Sequence, residues 1–336
     1  MKALLLPLLL ISLVACSDNS GEAALKDYQQ RLNRVLKQQH KPISLAPVEP
    51  LVAVRDLKRS PSDIRINLSD AYATRQCGLD QLIGERNSSL GRLYSPSKLL
   101  NYELRLLTAL ENCLQHTWQD SQLESSLQQA YNEKQADIHN AWQNMLQTDS
   151  TIRKELLGSS KTLALQAAGF TETWQALSQL QQLKTHIDNK NWSQASAINI
   201  EQQLQLLYQY NFIGRLQYSL RVSSQQLAQL NSLVQANTAP SLCPNQRETE
   251  QLTILANVFQ KYYLAKVQVY LGQLDQFQQQ LAPLLTSLYK QSQLYPMIEQ
   301  RFITSHTTMR QQLKDHVTWW QHLSRTCPIQ LQGAAN

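Results

Sequence analysis

From Glu250 to Leu281 the chain reads EQLTILANVFQKYYLAKVQVYLGQLDQFQQQL. Leu252, Leu255, Phe259, Tyr263, Tyr270, Leu274, Phe277 and Leu281 follow one another in steps of three, four or seven. That spacing puts the apolar side chains on one face of a helix, whereas a strand would alternate them. The stretch therefore predicts a coiled-coil-like helical rod, bent or ended near Pro283. The same pattern recurs on both sides. Downstream, Ile298, Phe302, Met309, Leu313, Val317, Trp320 and Leu323 form a last stripe that closes at Cys327-Pro328. Upstream, Leu100, Leu104, Leu107, Leu110 and Leu114 form another. No convincing strand run interrupts them, and no 34-residue helical repeat emerges. The predicted class is all-α: an elongated antiparallel helical bundle with coiled-coil-like long helices and short connections, stapled by disulfides.

Composition agrees. Charged residues make up 17% of the chain, against about 25% in an ordinary soluble domain. Glutamine supplies the missing polarity at about one residue in seven. Because glutamine is a good helix former, mixed here with regularly spaced leucines, it reads as the wet face of helices. The formal net charge of +6 is scattered, and Lys58-Arg59, Arg301 and Arg310 build no basic block. Nucleic-acid binding wants a clustered footprint, so that class is excluded.

The chain opens on Met1-Lys2, an apolar run from Ala3 to Val14, and Leu13-Val14-Ala15-Cys16. One positive charge, about a dozen apolar residues and a small residue before the break have the form of a secretory signal peptide. The run is too short to span a bilayer, which takes roughly 20 apolar residues. Leu-Val-Ala-Cys resembles the bacterial lipobox at every position. The resemblance implies cleavage before Cys16, diacylglycerol on its thiol and acylation of the freed amine, as with palmitate. Ser17 then implies sorting to the outer membrane, facing the periplasm, although Asp18 is read too in some bacteria.

Five regions follow: the signal peptide at 1–15, an anchor with amphipathic helix and Pro-rich segment at 16–67, a helical region at 68–190, a long-helix bundle at 191–328, and a tail at 329–336. In the second region Leu25, Tyr28, Leu32, Val35 and Leu36 line one face, with Lys26, Arg31, Arg34 and Lys37 opposite. Such a stripe could lie on the membrane, but it is expected to pack on the protein's own body. Pro42, Pro47, Pro50 and Pro61 then forbid regular helix. Because Ile43, Leu45, Val48, Leu51, Val52 and Val54 are apolar, that segment should run extended across the bundle surface.

Farther on, Ser95-Pro96 reads as a cap followed by proline in the first turn. Ser121 with Glu124, and Asn245 with Glu248, read as capping boxes. Trp174, Leu177, Leu180 and Leu183 share a helical face, and one long helical region is expected after Asn191.

With Cys16 lipidated, Cys77, Cys113, Cys243 and Cys327 remain, an even number that reads as two disulfides in an oxidising compartment. Four cysteines allow three pairings. The helix layout suggests Cys77–Cys113 and Cys243–Cys327, since each pair sits where two antiparallel helices would bring its members together.

The stretch from Cys77-Gly78-Leu79, through LIGERNSSLG at Leu82 to Gly91, to Tyr102-Glu103-Leu104 resembles the domain-of-unknown-function family 3080, lipoproteins of Gram-negative bacteria. Asp27-Tyr28, Arg31-Leu32 and Val35-Leu36 match its opening. The resemblance extends over nearly the whole mature chain, with Glu85 to Gly91 as its distinctive block. It implies a lipoprotein with an all-α body and implies no activity.

Glu85, Arg86, Asn87, Ser88 and Ser89 are the candidate binding residues, with Arg86 placed to grip an anion or a partner's carboxylate. The competing interpretation is a helix-capping turn between two paired helices. Ser88 and Ser89 lack the nucleophile elbow G-x-S-x-G. His40, His116, His139, His186, His306, His316 and His322 show no metal-ligand spacing. His316 and His322 flank Trp319-Trp320, which reads as a helix end with aromatics in the core, and His306, near its helix's stripe, reads as a satisfied core histidine more readily than as a ligand. No cofactor, metal or catalytic residue is expected. The leading expectation is a membrane-held scaffold for another envelope protein. The alternatives are a carrier of lipid or another apolar ligand and, more distantly, an envelope hydrolase.

Overall fold

The computed structural model describes residues 21–39, 42, 44–60 and 68–329. The expectations for Cys16 and Ser17 therefore lie outside the described residues, as do Pro61 and the end of the tail. What is described is all-α, with no strand among these residues. None of the described helices is long and apolar enough to cross a membrane.

The Gly21–Val35 helix is a central element of the core. Leu25, Tyr28 and Leu32 are completely buried, so its apolar stripe packs on the protein's own body. It runs antiparallel to the rod that follows Thr249. Gly21 lies against the Tyr270 ring, Tyr28 against Tyr263 with ring centroids 5.4 Å apart, and the Gln251 amide donates to the Val35 carbonyl at 2.9 Å. A Cβ on Gly21 would sit 2.0 Å from the Tyr270 ring, so only glycine allows this approach.

The rod consists of Glu250–Val258, a π-helical stretch Phe259–Val267 and Gln268–Tyr289. It passes through Pro283 and ends at Tyr289, not near the proline. A proline in a helix interior costs about 3 kcal/mol through its missing N–H and its clash with the preceding turn. Here Leu281, Leu284, Leu285 and Leu288 are buried on both sides of it, and their burial offsets that cost.

The returning helix comprises Tyr295–Ile298, a second π-helical stretch Glu299–Thr304, and Ser305–Thr326. It is antiparallel to the rod: Gln278 faces Phe302, Tyr263 faces His316 and Phe259 faces Trp320. Wide π turns loosen the regular ladder, and the buried Gln278 amide donates to the Phe302 carbonyl at 3.0 Å. Parallel neighbours occur beside these antiparallel ones. Phe212–Gln235 runs in the same direction as the last helix, because Arg221 and Arg301 line one cleft while Asn231 bonds to Gln312.

Two cores result. The larger takes residues from Ala24 to Cys327. The smaller gathers Leu79, Leu82, Tyr102, Leu106, Leu110, Cys113, Leu123, Leu127 and Ala130. Both expected disulfides form: Cys77–Cys113 with Cα atoms 5.2 Å apart, and Cys243–Cys327 at 5.8 Å. The first lies at the smaller core and the second closes the rod and its return.

Several local expectations shift. The helix beginning at Ser121 is capped by Asp120, whose carboxylate accepts from the N–H groups of Gln122 and Leu123. The rod is capped by Thr249 and not by Asn245. In each case the residue directly before the helix offers the oxygen in reach of the exposed N–H groups, whereas Ser121 already lies in the first turn and Asn245 lies too far ahead of it. Ser95 does cap Pro96–Cys113. Gly78, at φ 75°, separates the segment ending at Cys77 from Leu79–Asn87. The region after Asn191 divides into Trp192–Ala197, Ile200–Tyr210 and Phe212–Gln235, with the left-handed Asn211 between the last two. Asparagine tolerates that conformation better than most residues. Trp174 is 45% exposed and leaves its helix's buried stripe to Leu177, Leu180 and Leu183.

The Pro-rich segment crosses the bundle without regular structure from 44 to 53, but Val54–Leu57, expected to run extended, forms one helical turn that buries Leu57, since no proline stands between Pro50 and the end of that turn. Its carbonyls need donors because it has no ladder of its own. Arg153 donates to Val52, Arg221 to Ala46 and Arg301 to Glu49. Asn144 exchanges two 2.8 Å bonds with the Arg59 backbone.

Candidate functional site

Leu79–Asn87 and Pro96–Cys113 form the two legs of a helical hairpin on the smaller core, joined at their base by Cys77–Cys113. Glu85 to Gly91 is its tip. The helix ends as the Ser88 N–H reaches back to the Gly84 and Glu85 carbonyls. The Ser88 hydroxyl donates to the Glu85 carbonyl at 2.7 Å and accepts from the Gly91 N–H at 3.0 Å. A Cβ on Gly91 would stand 2.2 Å from the Glu85 carbonyl oxygen and 2.8 Å from that of Arg86. The glycine is there because the chain crosses its own helix end at contact distance.

The charges serve the same turn. Arg86 donates to the Gly91 carbonyl, and Arg92 to the Asn87 carbonyl at 3.1 and 3.3 Å. Both Glu85 carboxylate oxygens accept from the Arg105 guanidinium, at 3.0 and 2.9 Å, and one also accepts from the Tyr94 hydroxyl at 2.6 Å. The bond to Arg105, then that to Tyr94, holds the Glu85 carboxyl below its usual range. The forked Arg105–Glu85 contact fixes both direction and distance between the legs.

Asn87 and Ser89 are exposed. Leu90 at the tip is 76% exposed and Leu93, two residues past Gly91, is 82% exposed, with the exposed Arg92 between them. A rigid turn whose Arg86, Ser88 and Glu85 are engaged internally thus presents two leucines outward. With its hydroxyl committed to two backbone groups, Ser88 is not arranged as a nucleophile beside a base. Among the described residues no group of three or more histidine, cysteine, aspartate and glutamate side chains comes together to hold a metal.

The other singled-out residues fall elsewhere. His316 and Trp320 lie in the larger core, whereas His306 reaches out to Asp275 at 2.6 Å. One cluster escaped the sequence reading. Arg221 and Arg301 converge beneath the Pro-rich segment, although they are far apart in the chain. The signal for it was Arg301 beside Phe302, a charge adjoining an apolar stripe.

The family model described as "Protein of unknown function (DUF3080)" matches residues 25–331. No curated protein and no solved structure matches the chain. The matched span includes the smaller core, all of the larger core but Ala24, both disulfides and the hairpin tip, and the chain belongs to the DUF3080 family.

Proposed function

We propose that the protein is a lipid-anchored scaffold of the cell envelope that docks another envelope protein through the tip of its disulfide-stapled hairpin. The anchor rests on the lipobox at Leu13 to Cys16, and the outer-membrane, periplasm-facing location on Ser17. Several acyl chains on Cys16 would hold the chain stably, since one alone binds only marginally. The observation that carries the docking surface is the tip itself: Leu90 and Leu93 stand exposed on a turn fixed by Arg86, Ser88, Glu85 and Gly91. Exposed apolar groups on a rigid support lose little conformational freedom when a partner covers them. The role is binding and not catalysis, with an apolar socket on the partner as the complement.

Chemical crosslinking in intact envelopes tests this reading. The wild-type chain should give a discrete adduct that a Leu90→Asp, Leu93→Asp double variant loses while its melting stays unchanged. An adduct indifferent to both substitutions would reject the tip as the docking surface.

A further inference from the structure

The cleft beneath the Pro-rich segment has a volume of about 680 Å³. Pro47, Val52, Leu294 and Met297 give it apolar walls, while Arg221, Arg301 and Gln217 line it with donors. Arg301 is only 4% exposed and Gln217 only 2%. The two guanidiniums have backbone partners: Arg301 donates to the Leu156 and Glu49 carbonyls, and Arg221 to that of Ala46. Those partners are neutral. Among the ion pairs of the described residues, none involves Arg221 or Arg301. Glu49 also lines the cleft, and its charge favours the charged form of Arg301 without pairing with it.

Two observations separate this cleft from a simple clamp on the segment. The Arg301 Nε and the Gln217 Nε2 are buried and have no hydrogen-bond partner. Gln217 is also held in place on purpose-made backbone: a Cβ on Gly158, whose φ is 91°, would lie 2.6 Å from its Oε1. A clamp for carbonyls needs neither the spare donors nor a second guanidinium beside the first. Burial, and after it the charge of Arg221, disfavours the charged form of Arg301. A buried cation is ordinarily compensated by an anion that also takes up its remaining donors.

We propose that this cleft binds an oxyanion of phosphate or carboxylate type, held by Arg221, Arg301 and the Gln217 amide, with any apolar portion of the ligand along Pro47, Val52 and Met297. The site is separate from the hairpin tip and does not depend on the docking reading. A free small anion and the headgroup of a lipid share this chemistry, and the probes below tell them apart.

The test is thermal unfolding of the full chain in inorganic phosphate against chloride at equal ionic strength, repeated with dodecyl phosphate. Phosphate should raise the melting temperature in a saturable way. Arg221→Gln keeps an amide for the Ala46 carbonyl but should weaken apparent affinity tenfold or more. Gln217→Leu removes an unpartnered amide nitrogen, so it should melt no lower than wild type without ligand and still lose affinity. Asn144→Ala, which frees the same segment at Arg59, outside the cleft, should leave affinity unchanged. Dodecyl phosphate binding tenfold tighter than phosphate would assign a lipid headgroup, and equal binding a free anion. The proposal is overturned if neither probe gives a saturable shift, or if Arg221→Gln and Gln217→Leu bind as tightly as wild type.

Discussion

The Nε2 of His316 lies 2.9 Å from the Tyr28 hydroxyl, joining the first helix to the last across 288 positions of chain. Asn231 fixes the tautomer. Its amide nitrogen donates to Gln312, which turns its oxygen toward His316 Nδ1 at 3.0 Å and makes Nδ1 the protonated nitrogen. Nε2 then accepts from Tyr28, whose oxygen accepts from the Trp320 indole at 3.2 Å. Burial pushes the imidazole down to about 3. The neutral ring is therefore a condition of the fold.

A pH dependence follows. In the unfolded chain a histidine titrates near pH 6.5. Its depressed folded value gives a contribution that is complete above about pH 6.5 and is lost toward about pH 3. The loss approaches about 1.4 kcal/mol per pH unit. Urea unfolding at pH 7, 6, 5 and 4 should show this slope, and His316→Gln should be less stable at pH 7 but flatter. An equal slope in the variant would remove His316 as its source.

Glu155 acts in the opposite sense. It is 2% exposed, its Oε1 accepts from Asn211 at 3.2 Å, and its Oε2 has no partner. Burial raises it to about 7. A carboxyl raised in the fold imposes no penalty below about pH 4.5 and an increasing one as pH rises through 7. Glu155→Gln should therefore stabilise the protein by about 3 kcal/mol above pH 8 and change little near pH 4. A gain of the same size at both pH values would show that ionisation is not the cause.

At the tip, Arg86→Ala leaves the Gly91 carbonyl without its donor and should cost about 1–3 kcal/mol. Gly91→Ala should cost at least as much, because its Cβ meets backbone and not a movable side chain. Thermal unfolding decides. If Arg86→Ala melts like wild type yet loses the envelope adduct, Arg86 contacts the partner directly and its place in the turn is incidental.

Replacing both Cys77 and Cys113 by alanine should lower stability by about 4 kcal/mol in the chain-entropy model for a separation of 36 residues. The smaller core carries that loss. Hydrogen exchange should rise first in Leu79–Asn87 and Pro96–Cys113 while Phe212–Gln235 stays protected. Uniform loss of protection would mean that the two cores unfold together.

Helical period and cysteine placement made the class and both disulfide pairings legible, because both depend on short-range spacing. Asp120 and Thr249 were missed as caps, since nearby Ser121 and Asn245 fit the sequence pattern equally well. Pro283 does not end the rod, because the leucines buried around it carry the helix through. The leucine pair at the tip was hidden by its polar neighbours, which look functional until their bonds to the turn are seen. The Arg221–Arg301 cleft shows locally only Arg301 beside an apolar stripe, since its parts meet only after the Pro-rich segment crosses two helices.

Photocrosslinking from the tip tests the central claim most directly. A photoreactive residue at position 90 or 93 of the full chain, irradiated in intact cells, should give one discrete protein adduct in the outer-membrane fraction. The same residue at position 128, on the exposed face of Ser121–Thr148, should not. No adduct from 90 and 93, or the same pattern from 128, would contradict the account.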